Sequence, residues 1–229
     1  MDQEENPNLD TTIHDLTIPF KKTIVNRNIP SLPMNCIAIG RSGSGKTASI
    51  LNLLEFYKKH FKNRILIFAP TPDMSLYNLC DTMGAQIFLD IGDKIRRTLE
   101  FQKQQKLEGK KLKHILMYFE DFISNGEMNK RRSAFTELFS TARHYKISVL
   151  ITGQSFSLIP SSLRRMAWNF LIFKITNTRE KKLMIDELCG TLDMTENEFE
   201  ETYDSCVSEP YSFIYIDTVK GKWLKRFGK

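Results

Sequence analysis

Residues Gly40-Arg41-Ser42-Gly43-Ser44-Gly45-Lys46-Thr47 follow the pattern G-x-x-x-x-G-K-[ST]. That spacing serves one kind of chemistry. Glycines at 40, 43 and 45 allow backbone angles that other residues resist, so successive N–H groups can point at phosphate oxygens. A helix beginning at the lysine would add the partial positive charge of its N-terminus. Lys46 is expected to reach the β- and γ-phosphates of ATP, and the Thr47 hydroxyl to ligate Mg²⁺.

A second set of groups suits the chemistry of hydrolysis. Ile115-Leu116-Met117-Tyr118-Phe119 is an apolar run that delivers Glu120 and Asp121 at its end. In open α/β sheets the carboxyl ends of the strands hold the ligand. One acid can hold Mg²⁺ through water, and the other can polarise an attacking water. Successive strand side chains alternate, so the two acids start toward opposite faces and the chain must bend if both are to serve. The next apolar run ends in Thr152-Gly153-Gln154-Ser155, where Gln154 is the candidate sensor of the γ-phosphate. Arg143 precedes that run, and Arg164 and Arg165 follow it. All three are expected near the ligand-bearing edge. There an arginine from a neighbouring molecule would stabilise the charge developing on the transferred phosphoryl group. Arg143 and Arg164 are the preferred candidates. His114 and His144 have no partner at metal-ligand spacing and are read as packing or surface groups.

These groups need elements to carry them. Asn35-Cys36-Ile37-Ala38-Ile39 is a short apolar run ending at the glycine loop, and Ile50, Leu53, Leu54 and Tyr57 then recur at helical spacing. The order strand, loop, helix is what the phosphate-binding pattern requires. Further strands are expected at 64–69, 85–89, 114–121, 146–152 and 170–175, with closing strands at 211–217 and 222–227. Near-continuous apolar runs suit strands covered on both faces. Residues 93–111 are highly charged and read as an exposed helix and loop, and 130–142 as a helix. Asn177 with Glu180, and Thr195 with Glu198, mark helix starts. Strands alternating with helices imply an α/β fold with a largely parallel central sheet. Residues 1–33 read as an acidic, polar tail followed by a proline-bearing lead-in against a sheet edge, and 34–229 as a single ATPase domain.

Composition adds little to this and excludes some classes. The net charge of +6, from 33 basic and 27 acidic residues, fits a polyanionic partner without requiring one. Cys36, Cys80, Cys189 and Cys206 form no CxxC pair, so they are expected to be unpaired thiols in a reducing compartment. No window approaches the roughly 18 apolar residues of a membrane helix, and no signal peptide is visible. A soluble, intracellular protein is expected. The basic stretch from Lys103 to Lys113 is a candidate contact for a nucleic-acid backbone, although a solvated loop is its commoner explanation.

With these segments in hand, the chain resembles the genome-packaging ATPases of large double-stranded DNA viruses and their relatives in the FtsK/HerA superfamily of DNA pumps. The resemblance is carried by Ile39 to Thr47, Ile65 to Pro70, Leu116 to Asp121 and Ala142 to Ser148. Thr152 to Phe156, Ile159-Pro160, and Arg164 before Asn169-Phe170 complete it. It runs from about residue 32 to 176 and is faint beyond. The family's acidic pair is normally two aspartates, or aspartate then glutamate, so Glu120 is a departure; by position it is assigned to the metal and Asp121 to the water. The resemblance implies a P-loop NTPase with a RecA-like core, assembling as a homo-oligomeric ring around double-stranded DNA and using ATP and Mg²⁺ to drive it into a capsid. It also implies a capsid or portal partner, and work in the host cytoplasm or viral factory with association to the virion. Two other readings use the same phosphate loop. One is a nucleotide or small-molecule kinase, against which the acidic doublet and neighbouring polar strand end weigh. The other is a weakly hydrolysing scaffold. No second acidic cluster suggests a nuclease.

Overall fold

The computed structural model describes residues 12–13, 23–24, 28–122 and 132–228. The expected polar tail and most of the expected lead-in lie outside the described residues. Of residues 1–27, the described pairs form β1 (Thr12–Ile13) and β2 (Thr23–Ile24), which pair antiparallel. The lead-in's last residues contact the main body. Lys222 Nζ donates to Asn28 Oδ1 at 2.8 Å, and the Tyr57 hydroxyl donates to the Pro30 carbonyl.

From Asn35 onward the apolar runs form strands. They are β3 (Asn35–Ile39), β4 (Ile65–Phe68), β5 (Gln86–Phe88), β6 (Ile115–Phe119), β7 (Ile147–Gly153), β8 (Asn169–Phe173), β9 (Phe213–Asp217) and β10 (Lys222–Lys225). They build one eight-stranded sheet in the order β10-β9-β8-β3-β7-β6-β4-β5. The strands from β8 to β5 run parallel, and β9 and β10 add antiparallel pairs at one side. The helices are α1 (Lys46–Phe56), α2 (Lys58–Phe61), α3 (Met74–Met83), α4 (Lys94–Leu107), α5 (Arg132–Thr141), α6 (Ser161–Met166), α7 (Thr178–Leu188) and α8 (Glu196–Cys206).

Capping explains several helix starts. Asn177 accepts from the backbone of Arg179 and Glu180, and Thr195 and Glu198 form a reciprocal box. Helix α3 has no counterpart among the sequence-based expectations. Asp73 caps it by accepting from Leu76 N, and Gly84 ends it at φ +65. Helix α4 buries only Ile95, Leu99 and Gln102.

Because strand side chains alternate, the sheet has two buried faces. Cys36, Ala38, Leu116, Tyr118 and Leu150 pack with α1, α2 and α3. Ile37, Ile39, Met117, Phe119, Val149 and Ile151 pack with α4, α5, α7 and α8. Each fully buried aliphatic or aromatic side chain contributes about 1.5–3 kcal/mol of transfer free energy, so this double cover holds the strand order that positions the site. The four cysteines are free thiols. Among the described residues no helix is long and apolar enough to cross a membrane.

Candidate functional site

Strand β3 ends at Ile39 and the chain enters the glycine loop. Gly40 has no room for a side chain: a Cβ there would lie 2.6 Å from Ser44 Oγ and 2.7 Å from Phe173 Cβ. Gly45 sits at φ +91, in the left-handed region, and hands the chain directly to the first turn of α1. Lys46 is buried, and its ammonium donates to the carbonyls of Gly40 at 2.6 Å and Arg41 at 3.0 Å. Burial holds Lys46 below the usual lysine pKa, while the charges of Asp121 and Glu120 pull the other way.

The strand order decides what meets Thr47. Strand β7 lies between β3 and β6, with Ile39 opposite Gly153 and Phe119 opposite Ile151. Tyr118, Leu150 and the side of α1 share one face of the sheet. Counting by twos, Glu120 and Thr152 fall on that same face. There Thr47 Oγ1 donates to Glu120 Oε1 at 2.9 Å, and Thr152 Oγ1 donates to Glu120 Oε2 at 2.7 Å. The Tyr118 hydroxyl donates to the same Oε2. Burial raises the Glu120 carboxyl above the ordinary range; the Tyr118, Thr152 and Thr47 donors oppose that rise, and the Asp121 charge adds to it.

The chain does bend after Glu120. Asp121 adopts φ +50, and its backbone N–H donates to Thr152 Oγ1 at 3.1 Å. Its carboxylate thereby stays at the same edge, where Gln154 Nε2 donates to Asp121 Oδ2 at 3.2 Å. Lys46, Thr47, Glu120, Asp121 and Gln154 are thus brought together, together with the glycine loop from Gly40 to Gly45. A cavity of about 640 Å³ opens over Lys46, Thr47, Glu120 and Asp121, and Asp73, Tyr211 and Arg226 complete its walls.

Two arginines depart from expectation. Arg143 lies in a 3₁₀ turn, Ala142–Tyr145, just before β7. Strands β3 and β7 are parallel, so residues that precede β7 lie at the sheet edge opposite the glycine loop, not at the ligand-bearing edge. The Arg143 guanidinium is exposed there, 6.0 Å from the Trp168 ring centre. Arg164 is buried. Its Nε donates to Glu187 Oε2 at 2.7 Å, Nη2 donates to Glu187 Oε1, and Nη1 donates to the carbonyls of Phe156 and Ile159. A guanidinium held this way ties α6 to α7 within its own chain. Arg165 is exposed on the same helix.

Sequence reasoning missed Tyr118 and Thr152 as members of the site. Tyr118 was legible, being two residues before Glu120 on the same strand. Thr152 was not, because its role depends on which strand lies beside β6. Tyr211 and Arg226 fall outside any motif.

A family model described as Poxvirus A32 protein matches residues 21–188, well over half the chain. The DNA packaging protein OPG160 of Variola virus is 26% identical over 163 residues, which is 68% of this chain and 58% of that protein. The Monkeypox virus protein of the same description is also 26% identical over 163 residues, 53% of its length. The chain therefore spans little more than half the length of these relatives. Among solved structures, the genome packaging NTPase B204 from Sulfolobus turreted icosahedral virus 2, in complex with AMP, superposes with a TM-score of 0.61 at 14% identity, covering 86% of this chain and 98% of that one. EssC ATPases 2 and 3 from Geobacillus thermodenitrificans give a TM-score of 0.56 at 18% identity, over 66% of this chain and 34% of that one. At such identities the likeness speaks for the fold, an α/β P-loop NTPase with a RecA-like, mostly parallel sheet. The matched span takes in the glycine loop, the Glu120–Asp121 pair and the Thr152–Gln154 strand end; the chain belongs to the Poxvirus A32 protein family.

Proposed function

We propose that this chain is a Mg²⁺-dependent ATPase that translocates double-stranded DNA and packages a viral genome. The observation that carries this reading is the meeting of Thr47 and Glu120, 2.9 Å apart on separate elements at the end of a phosphate-binding loop. A hydroxyl and a carboxylate are hard oxygen donors, and Mg²⁺ in nucleotide sites takes only one or two protein oxygens, leaving the rest to phosphates and water. The two residues therefore fit the ion, and they are the ones that would hold it. When bound, Mg²⁺ would neutralise charge on the β- and γ-phosphates.

The chain's own residues supply the remaining steps. Backbone N–H groups of residues 40–47 cradle the phosphates. Lys46 leaves the Gly40 and Arg41 carbonyls and moves to the phosphate oxygens. Asp121 takes the water's proton, and Gln154, bonded to Asp121, senses the γ-phosphate and helps orient the water. Tyr118 and Thr152 fix the Glu120 carboxylate. The arginine finger is a neighbour's Arg143, which is exposed; Arg164 is assigned to structure. We take residues 34–229 as one domain, since its sheet draws strands from Asn35 to Lys225.

DNA as the partner is supported by family membership and by the names of the relatives, which are DNA packaging proteins. The basic stretch at the end of α4, with Lys110, Lys111 and Lys113, enters β6 at the same edge as Arg143. Lys106 Nζ donates to the His144 carbonyl at 3.4 Å across that edge. Such lysines and arginines suit phosphate contacts that carry no sequence information. We infer a homo-oligomeric ring acting with a capsid or portal vertex, in a viral factory or associated with the virion. The test is ATP hydrolysis with and without long duplex DNA, beside Lys46→Ala. Hydrolysis that rises with DNA and is lost in the variant is expected. Lysine-dependent hydrolysis indifferent to DNA would sink the motor reading.

A further inference from the structure

The cavity over the phosphate loop has walls of two origins. One side is the loop, α1, the end of β6, and Thr71, Asp73, Ser75 and Leu76 after β4. The other is built by residues beyond 188, outside the family match: Tyr211, in the turn between α8 and β9, and Arg226, just after β10. Tyr211 is unusual in two respects. It adopts φ +59, a conformation that bulky residues avoid, and the residue is 65% exposed. An aromatic side chain that gains little burial and holds an unfavourable backbone angle is not there to fill the core. Its ring stands over Gly45: a Cβ on that glycine would lie 3.2 Å from Tyr211 Cδ1.

The turn is held from behind. Arg226 N donates to the Phe213 carbonyl at 2.8 Å, and Arg226 Nη2 donates to Ser212 Oγ at 3.2 Å, with Glu209 Oε2 at 3.8 Å. Arg226 is itself at φ +56, and its Nε is buried with no hydrogen-bond partner among the described residues. A strained, exposed aromatic residue and the arginine that braces its turn thus border one cavity. That cavity continues past the loop along Ala48, Ser49 and Asn52 of α1, so there is room beyond the phosphates for a nucleoside.

We propose that Tyr211 and Arg226 form the base subsite of the nucleotide pocket. The Tyr211 ring stacks on a purine, and Arg226 holds the turn that presents the ring. The proposal rests on the nucleotide-binding reading above. The C-terminal strands would then complete the substrate site as well as extend the sheet, which gives the strained turn a purpose.

Calorimetric titration of the full chain with Mg-ATP and with Mg-tripolyphosphate separates base from phosphate recognition. Tyr211→Ala is expected to weaken ATP binding about tenfold, the scale of one base–aromatic stack, and to leave tripolyphosphate binding within about twofold. Tyr211→Phe, which keeps the ring, should bind both ligands as the wild type does. Arg226→Ala removes the bond to Ser212 that holds the turn, and should lose ATP affinity with tripolyphosphate spared. ATP binding unchanged in Tyr211→Ala overturns the subsite. So does equal loss of both ligands, which would mean that the ring acts on the loop instead of the base. If Lys46→Ala binds both ligands as tightly as the wild type, the phosphate-loop reading fails first, and the subsite falls with it.

Discussion

Thr152 offers the sharpest test of how the site is held together. It is fully buried, and its single hydroxyl donates to Glu120 Oε2 at 2.7 Å while accepting from Asp121 N at 3.1 Å. Thr152→Val keeps the shape and removes both bonds. Losing a hydrogen bond to a charged group costs about 1.5–3 kcal/mol, and leaving a partly buried N–H unpaired costs about 1–3 kcal/mol. The added methyl returns about 0.8 kcal/mol of burial. The net destabilisation is about 2–5 kcal/mol, a fall in Tm of about 4–20 °C for a chain of this size. The same change releases the proposed metal-holding carboxylate from one of its donors, so kcat should fall about 10- to 100-fold, as for other residues that orient metal ligands. Urea unfolding followed by circular dichroism, with steady-state ATPase assays, measures both effects. Thr152→Ser keeps the hydroxyl and should lose about 1 kcal/mol with kcat near the wild type. A Thr152→Val protein within about 0.5 kcal/mol of wild type and with unchanged kcat would refute the idea that this hydroxyl organises the acidic pair.

Other outcomes follow from neighbouring contacts. Glu120→Gln and Asp121→Asn should each abolish turnover while the proteins stay folded; unchanged kcat in both would reject the acidic pair as the catalytic centre. Arg164→Ala removes a buried partner of Glu187 and should destabilise the fold by about 3–5 kcal/mol, whereas Arg143→Ala should leave Tm within about 2 °C and lower only the ATPase of the assembled protein. An undisturbed Tm in Arg164→Ala would return that residue to the list of finger candidates. Glu180 accepts from Ser155 Oγ at 2.9 Å, from Ser157 N at 3.0 Å and from Ser157 Oγ, which fixes the segment after Gln154. Burial raises its carboxyl pKa, but these bonds outweigh burial and hold it below the ordinary value. The ionised form is therefore favoured in the fold, and its stabilisation is present above the unfolded carboxylate pKa of about 4.3 and lost as pH falls through the lower, folded value. Glu180→Gln should cost about 1 kcal/mol at pH 7 and nothing once the pH lies below both values; a deficit that persists in acid would contradict this sign.

Much of this molecule was readable without coordinates. Periodicity dictated the strands because near-continuous apolar runs such as Ile147–Thr152 are stable only when covered on both faces. The phosphate loop was legible because its glycines, lysine and threonine act through backbone geometry within eight consecutive residues. Alternation on β6 even demanded a bend after Glu120, which Asp121 makes at φ +50. Tertiary structure decided what depends on strand order and direction. Placing β7 between β3 and β6 makes Thr152 a donor to Glu120, and nothing local to either residue announces that pairing. Parallel strands carry Arg143 to the edge away from the loop, and Glu187, 23 residues along the chain, buries Arg164 in an ion pair. Tyr211 and Arg226 come to the cavity only because antiparallel β9 and β10 return the chain beside β8. Local pattern specifies groups whose partners lie within a turn or a strand, while groups whose partners come from distant segments are assigned by the sheet that brings them together.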